Sequence, residues 1–213
     1  MTPAAPEAAS LAALVTLAVA TTFTPGPNNA MLSASGATFG LRRTIPHAQG
    51  VTWGFPLMVF AVALGLGEAF RESAVLRETL RWGGAALMLW LAWRIATAEP
   101  PGRGKGRSRP LSFVEAAGFQ WINPKAWMMS LAVTSQFVDG SDSLRDAAVA
   151  AAVFAGVGFF SSHGWAAFGA ALGRWLGEGM RLRVFNAAMG AMIVAGVAAL
   201  LMQDLAPPPA AAG

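Results

Sequence analysis

Residues 19–36 read VATTFTPGPNNAMLSASG, which places two prolines, a glycine and two asparagines inside a long apolar segment. Residues 11–39 otherwise have the composition of a membrane helix. A proline has no backbone N–H to donate, and its ring clashes with the preceding helical turn. The helix is therefore predicted to be interrupted at Pro25, Gly26 and Pro27. Either the segment is two shorter elements, or a membrane helix is broken for a purpose.

The overall composition favours a broken membrane helix. Of the 213 residues, 55% are hydrophobic and 12% are charged, with a mean hydropathy of +0.50. Soluble domains carry about 25% charged residues, and a helix needs about 20 apolar residues to cross a bilayer. Apolar runs of about that length recur at about 11–38, 45–67, 82–98, 113–138, 147–172 and 185–203. We therefore expect one integral membrane domain over residues 1–213, with six transmembrane helices.

Several classes of protein are excluded by what the chain lacks. The net charge is +4, but no basic patch is interleaved with aromatic residues, so no nucleic acid is expected as a partner. The absence of cysteine excludes disulfides and thiolate chemistry. No enzyme motif of the G-x-S-x-G, H-E-x-x-H or Walker type occurs, and the two histidines lie 116 residues apart. We expect neither an enzyme nor a bound cofactor or metal.

The distribution of charge predicts the orientation in the membrane. The first ten residues carry no Lys or Arg, which argues against a cleaved signal peptide and for a retained first helix. With six spans, ten of the fifteen Lys and Arg residues fall on one face, which the positive-inside rule places in the cytoplasm. Both termini then lie outside the cytoplasm. The membrane is expected to be a bacterial inner membrane. The basic stretch 99–112 is expected to be a cytoplasmic loop, either simply solvated or bound to anionic lipid.

A second interruption occurs at the matching place in the second half of the chain. Asn123, Pro124 and Lys125 lie about 10 residues into the fourth apolar run, and Asn28 and Asn123 are 95 residues apart. The predicted fold is an all-α integral membrane protein, in which six transmembrane helices form two inverted three-helix repeats with helices 1 and 4 broken. Repeat one spans about 10–98 and repeat two about 113–204. Broken helices at equivalent positions of two repeats are a pointer to a transporter's binding site.

Each break is predicted to begin a new helix whose N-terminus points into the membrane. Asn28 or Asn29 would cap the first helix, and Asn123, with Pro124 in the first helical position, would cap the second. Helix N-termini attract anions, and Lys125, about 18 Å from the cytoplasmic end of its span, adds a cation that should face a cavity or a partner. In the alternative, the prolines only kink the helices, or a shifted span boundary brings Lys125 nearer the interface. The predicted substrate-binding residues are Pro25, Gly26, Pro27, Asn28, Asn29, Asn123, Pro124 and Lys125.

Three further residues are candidates for proton coupling. His47 and His163 could be protonated near neutral pH, and Glu115 could be reached through a water-filled vestibule. Each histidine could instead be a packing residue hydrogen-bonded between helices. Three sets of glycines have the spacing of close helix contacts. These sets are Gly36 and Gly40; Gly50 and Gly54; and Gly169, Gly173 and Gly177.

Several motifs resemble the LysE/RhtB family of amino-acid exporters. They are TPGPNNAMLSASGATFGLRRTIPHAQGVTWG (24–54), NPKAWMMSLA (123–132), WAAFGAAL (165–172) and LRVFNAAMG (182–190). Arg42, Arg43, His47 and Asn186 also match recurrent family positions. The resemblance implies a six-helix inner-membrane exporter of amino acids or close derivatives, driven by the proton-motive force. A channel, a non-transporting membrane module or an exporter of another solute such as a metal ion is the alternative. The expected partners are an amino-acid-like solute and membrane lipid. A homodimer is possible, and the sequence does not decide it.

Overall fold

The computed structural model describes residues 4–97, 109–138, 142–177 and 179–202. Within these ranges all regular structure is helical, as predicted. The helices are α1 (Ala4–Phe23), α2 (Pro27–Phe39), α3 (Leu41–Ala61), a π-helical segment (Val62–Leu66), α4 (Gly67–Glu72), α5 (Ala74–Ala96), α6 (Phe113–Gln120), α7 (Pro124–Phe137), α8 (Ser143–Leu176) and α9 (Met180–Leu201).

Both predicted interruptions are present. The first separates α1 from α2 and bends the chain by 54°. Gly26 is extended, and the first bond of the new helix runs from the N–H of Ala30 to the carbonyl of Gly26 at 2.9 Å. The second separates α6 from α7, with Pro124 as the first residue of α7. Pro27 and Pro124 contribute to the breaks, because neither has an N–H to bond to the helix before it.

The count of six spans is only partly matched. Among the described residues, three helical stretches are long and apolar enough to cross a bilayer: Leu41–Glu72, Ser143–Leu176 and Met180–Ala199. The bent pair Ser10–Phe23 and Pro27–Phe39 meets the same criteria when counted together. The predicted third span (82–98) and fourth span (113–138) do not qualify. α5 carries three arginines along its length, and α6 and α7 are 8 and 14 residues long.

The helices pack closely through glycine, as the spacing predicts. A Cβ at Gly169 or Gly173 of α8 would overlap the backbone of Ser33 or Ala37 in α2, and one at Gly36 would overlap that of Ala166. Gly50 and Gly54 bring α3 equally close to α6, against Phe113 and Ala117. These contacts hold the first break beside α8, and α3 beside the second break.

Gly40 and Gly177 do not belong to this set, so the prediction was wrong for both. Each lies at the end of a helix with a positive φ, 81° and 65°, and a Cβ at either position would meet no atom within 4 Å. Glycine is favoured there because it adopts a left-handed conformation without a steric penalty. A glycine that continues the regular spacing can therefore mark the end of a helix instead of a contact between helices.

Large apolar side chains cover the outside of the bundle. Trp53, Leu57, Trp93, Phe160 and Trp175 are all more than half exposed. A water-soluble surface does not carry so many exposed aromatic residues. This surface fits a hydrocarbon environment, in agreement with an integral membrane protein.

Candidate functional site

The two breaks meet in space. The Lys125 ammonium donates to the carbonyl of Thr24, with Nζ and O 3.4 Å apart. A Cβ at Gly26 would lie 2.9 Å from the same Nζ. The backbone of Gly26 is extended, with φ −173°, which any residue can adopt. The glycine is therefore explained by the room that it leaves for the Lys125 ammonium.

The cap predicted for the second break is confirmed. The Asn123 side chain accepts a hydrogen bond from the N–H of Lys125 at 3.1 Å, and Pro124 takes the first helical position. The next two N–H groups, of Ala126 and Trp127, bond to the Asn123 carbonyl. The N-terminus of α7 therefore satisfies its own first donors.

The cap predicted for the first break was wrong. Gly26, not Asn28 or Asn29, is the N-cap residue, and no side chain caps α2. Proline strongly prefers the first helical position, so Pro27 starts the helix and moves the asparagines one and two residues inside it. Within the described residues, no hydrogen bond occupies the backbone N–H groups of Asn28 and Asn29.

The two asparagine side chains have other partners. Asn28 donates to the side-chain oxygen of Gln120 in α6 at 2.9 Å. Asn29 donates to the carbonyls of Thr22 and Thr24, both at 2.9 Å, and Ser161 of α8 donates to Thr22 at 2.8 Å. These bonds satisfy carbonyls at the end of α1 that the break leaves without helical partners.

A central cavity, partly open to the outside, lies between the breaks, α3 and α8. Gly26, Pro27, Asn28, Asn29, Asn123 and Lys125 all line it, so six of the eight predicted binding residues share one cavity. Its other polar lining residues are Thr21, Thr22, Thr52, Gln120, Ser161 and Ser162. Among the lining residues Lys125 is the one charged side chain. A single cation among neutral polar groups favours a ligand that carries an anionic group.

The protein contains two further cavities, of which the third shares lining residues with the central one. The second cavity is lined by the C-terminal half of α2, by α5 and by α6, and includes His47, Arg94 and Glu115. The third cavity is lined by α1, α7 and α9. Lys125, Gly26 and Asn123 line both the third and the central cavity. Pro25 lines the third cavity alone, and Pro124 lines none of the three but would be 3.3 Å from a Cβ at Gly84.

Two of the three proton-coupling candidates, His47 and Glu115, border the second cavity. His47 is buried on the second cavity, with its Nδ1 3.2 Å from the hydroxyl of Ser35. Glu115 borders the same cavity, where its carboxylate accepts from Arg109 at 2.6 Å and from the N–H of Ser112 at 2.7 Å. The Ser112 bond, together with the one from the N–H of Glu115 to the Ser112 hydroxyl at 3.3 Å, forms the capping box of α6. The separate hydrogen bond from Arg109 to Glu115 raises the pKa of Arg109. Glu115 thus already has a structural task.

His163 lies apart from the three cavities. Its Nδ1 is 2.8 Å from the carbonyl of Phe159, which can only accept, so Nδ1 carries the proton. Its Nε2 is 3.2 Å from the side-chain nitrogen of Gln49, and the Gln49 oxygen in turn accepts from the indole of Trp53 at 2.9 Å. The amide nitrogen can only donate, so Nε2 accepts and the ring is neutral. This is the packing arrangement that the sequence left open.

Six polar residues of the cavity lining were not predicted as site residues, including Thr21 and Thr22, which stand just before the first break. Gln120 stands out in an apolar run, but a lone glutamine there is explained equally well by a hydrogen bond between helices. Thr52, Ser161 and Ser162 lie in apolar helices, where single hydroxyls are common, so nothing in the sequence distinguishes them. Only the packing of α3 and α8 against the first break places them on the cavity.

The comparisons with known proteins concern most of the chain. The family described as LysE type translocator matches residues 19–204. A cysteine/O-acetylserine efflux protein of Salmonella paratyphi A is 34% identical over 129 residues, 60% of this chain and 65% of the relative. One of Klebsiella pneumoniae is 32% identical over 128 residues, with the same two shares. One of Escherichia coli O1:K1 / APEC is 30% identical over 161 residues, 75% of this chain and 82% of the relative.

This chain therefore aligns with slightly less than two thirds of the Salmonella and Klebsiella relatives. No solved structure matches it. The family match includes both breaks, Lys125 and every residue that lines the central cavity. The expectation of a membrane transport protein of this family is confirmed, and the chain belongs to the LysE type translocators.

Proposed function

We propose that this protein exports amino acids or close derivatives across the bacterial inner membrane, driven by the proton-motive force. The observation that carries the proposal is the position of the Lys125 ammonium against Gly26, the N-cap residue of α2. The names of the relatives, cysteine/O-acetylserine efflux proteins, support a small zwitterionic substrate. In this proposal the chain is one domain of two inverted three-helix repeats, with six spans and both termini outside the cytoplasm.

The substrate carboxylate binds between Lys125 and the uncapped N-terminus of α2. An ammonium group has three donors, and the one seen bond of Nζ is 3.4 Å long. The N–H groups of Asn28 and Asn29 add two backbone donors at the positive end of the α2 dipole. The N-terminus of α7 contributes less than expected, because Asn123 already occupies it. The site therefore uses one helix N-terminus and a lysine instead of two helix N-termini.

In this proposal the substrate moves between the three cavities as it crosses the protein. The central cavity shares Lys125, Gly26 and Asn123 with the third cavity, and the Asn28–Gln120 pair lies beside residues that line the second. A substrate that moved between the cavities would pass the paired amides on one side and Lys125 on the other. Proton coupling would use His47 or Glu115, which face the second cavity.

The test is transport by the purified protein in proteoliposomes. An exporter accumulates labelled cysteine or O-acetylserine against its gradient when a proton gradient is imposed, and an uncoupler abolishes the accumulation. A channel would allow downhill flux without accumulation, and a non-transporting module would show neither. Either of these two results would contradict the proposal.

A further inference from the structure

The wall of the central cavity that α3 forms contains an unusual threonine. Thr52 is 1% exposed, lines the cavity, and has no hydrogen-bond partner for its hydroxyl among the described residues. Other helical threonines of this chain donate to the carbonyl four residues earlier. They are Thr16, Thr21, Thr22, Thr44, Thr97 and Thr134. An unsatisfied buried hydroxyl is costly and uncommon, so this one needs an explanation.

A second polar atom of the same residue lacks its helical donor. Pro56 stands four residues after Thr52 and has no N–H, so it cannot bond to the carbonyl of Thr52. Helix carbonyls point toward the residue four positions later. Because Thr52 and Pro56 both line the cavity, the carbonyl lies on the cavity wall. Thr52 therefore brings a hydroxyl oxygen and a carbonyl oxygen to one place.

A primary ammonium group has three donors, and two oxygen acceptors at one place can receive two of them. The described residues that line the cavity include no Asp or Glu, so an amino acid bound there would place its ammonium on neutral acceptors. Two carbonyls at the first break already receive two hydrogen bonds each. The carbonyl of Thr22 receives Asn29 and Ser161, and that of Thr24 receives Asn29 and Lys125.

We propose that the hydroxyl and carbonyl of Thr52 bind the α-ammonium group of the substrate, with Pro56 keeping the carbonyl available. This inference rests on the proposed function, in which the carboxylate binds at Lys125 and the α2 N-terminus. The two ends of the zwitterion are then held by different helices, α3 at the ammonium and α2 with α7 at the carboxylate. The cavity thereby distinguishes amino acids from simple carboxylates, although no acidic side chain is found among its described lining residues.

The test compares three probes that differ in one charged group each. Cysteine carries both groups, 3-mercaptopropionate lacks the ammonium, and cysteamine lacks the carboxylate. The protein has no cysteine, so these thiols cannot form disulfides with it. Each competes with labelled cysteine for binding to the purified protein. T52V should weaken cysteine and cysteamine about 10- to 150-fold and leave 3-mercaptopropionate unchanged, whereas K125M should weaken cysteine and 3-mercaptopropionate and spare cysteamine.

Two further variants and their controls separate binding from structure. T52S keeps the hydroxyl and should restore the affinity for cysteine. P56A returns an N–H to α3 and should weaken cysteine and cysteamine, while P46A, at the proline of α3 that lines none of the three cavities, should not. S130A removes another buried unpartnered hydroxyl, outside the cavities, and should not change probe binding.

Three results would contradict the proposal that Thr52 binds the ammonium group. The first is equal weakening of all three probes by T52V. The second is unchanged binding of all three. The third is a T52V effect on cysteine that disappears with 2-aminobutyrate, which has the ammonium but no thiol, since Thr52 would then recognise the side chain. Failure of the wild-type protein to bind or export any amino acid would contradict the proposed function itself, and the ammonium site with it.

Discussion

Asn28 and Gln120 exchange side-chain hydrogen bonds across 92 residues of sequence, at 2.9 Å from Asn28 Nδ2 and 3.4 Å from Gln120 Nε2. The pair joins α2, which begins after the first break, to α6, which ends before the second break. Gln120 is fully buried and also donates to the carbonyl of Ala116 at 2.9 Å. The pair thus connects the two interrupted regions without any charged group.

Gln120→Leu should destabilise the protein by about 1–3 kcal/mol, because it leaves the Asn28 amide without its partner in a buried site. The double variant N28L/Q120L should recover part of that loss, since two apolar side chains leave no unsatisfied group. Thermal unfolding in detergent measures the four members of this double-mutant cycle. Strictly additive losses would mean that the two amides do not stabilise each other.

Lys125→Met should reduce the affinity for a carboxylate substrate about 10- to 150-fold, the value of a charge-assisted hydrogen bond of about 1.5–3 kcal/mol. An esterified or amidated analogue should lose much less, because it has no carboxylate for the ammonium to bind. Asn28→Ala should have a milder effect, since the backbone donors of α2 remain. Export at matched membrane abundance measures the difference, and equal losses for the acid and its ester would assign Lys125 to structure or to the proton path.

Gly26→Ala tests the position of the ammonium without changing any charge. The added methyl group would lie 2.9 Å from Nζ, and the flexible end of the lysine can move away. We expect weaker substrate binding with little change in the melting temperature, because the backbone of Gly26 is extended. Gly156→Ala is the control, since a Cβ at Gly156 would meet no atom within 4 Å. Unchanged affinity in Gly26→Ala would mean that the position of the Lys125 ammonium does not affect substrate binding.

Gly169→Ala should destabilise the bundle by about 1–3 kcal/mol, as overpacking does in other tightly packed interiors. The methyl group would overlap the carbonyl of Ser33, which is backbone and cannot rotate away. Gly164→Ala, in the same helix with open space around it, should be neutral or stabilising by up to about 1 kcal/mol. Thermal unfolding of the two variants checks the α2–α8 contact, and equal melting temperatures would contradict it.

His47→Gln should alter the pH dependence of export, whereas His163→Gln should leave its shape unchanged. His47 borders the second cavity, and His163 is a neutral ring held between Gln49 and the Phe159 carbonyl, away from the three cavities. Glu115→Gln should keep the capping box, which accepts glutamine, so any loss of coupling in that variant would report on charge. Export rates across a pH series measure all three, and a flattened profile in His163→Gln alone would reverse the assignment.

The breaks themselves were predictable because their causes are local. A proline lacks its N–H wherever it stands, and an asparagine before a proline is a favoured helix cap, which is what Asn123 and Pro124 form. The same local rules explain the correction at the first break. Pro27 competes with Asn28 for the start of α2, and the preference of proline for the first helical position decides the competition.

The partners of the site residues depended on tertiary structure. Asn28 meets Gln120 across 92 residues, Lys125 meets Thr24 across 101, and Ser161 meets Thr22 across 139. Such contacts form because glycines let α2, α3, α6 and α8 approach to backbone distance, and local sequence does not specify which helix faces which. The same packing buries the Thr52 hydroxyl on the cavity, where its helix alone would have offered it an ordinary bond to the carbonyl of Ala48. The sequence by itself determined where the helices break and how the second break is capped, and only the packing decided which side chains the breaks bring together.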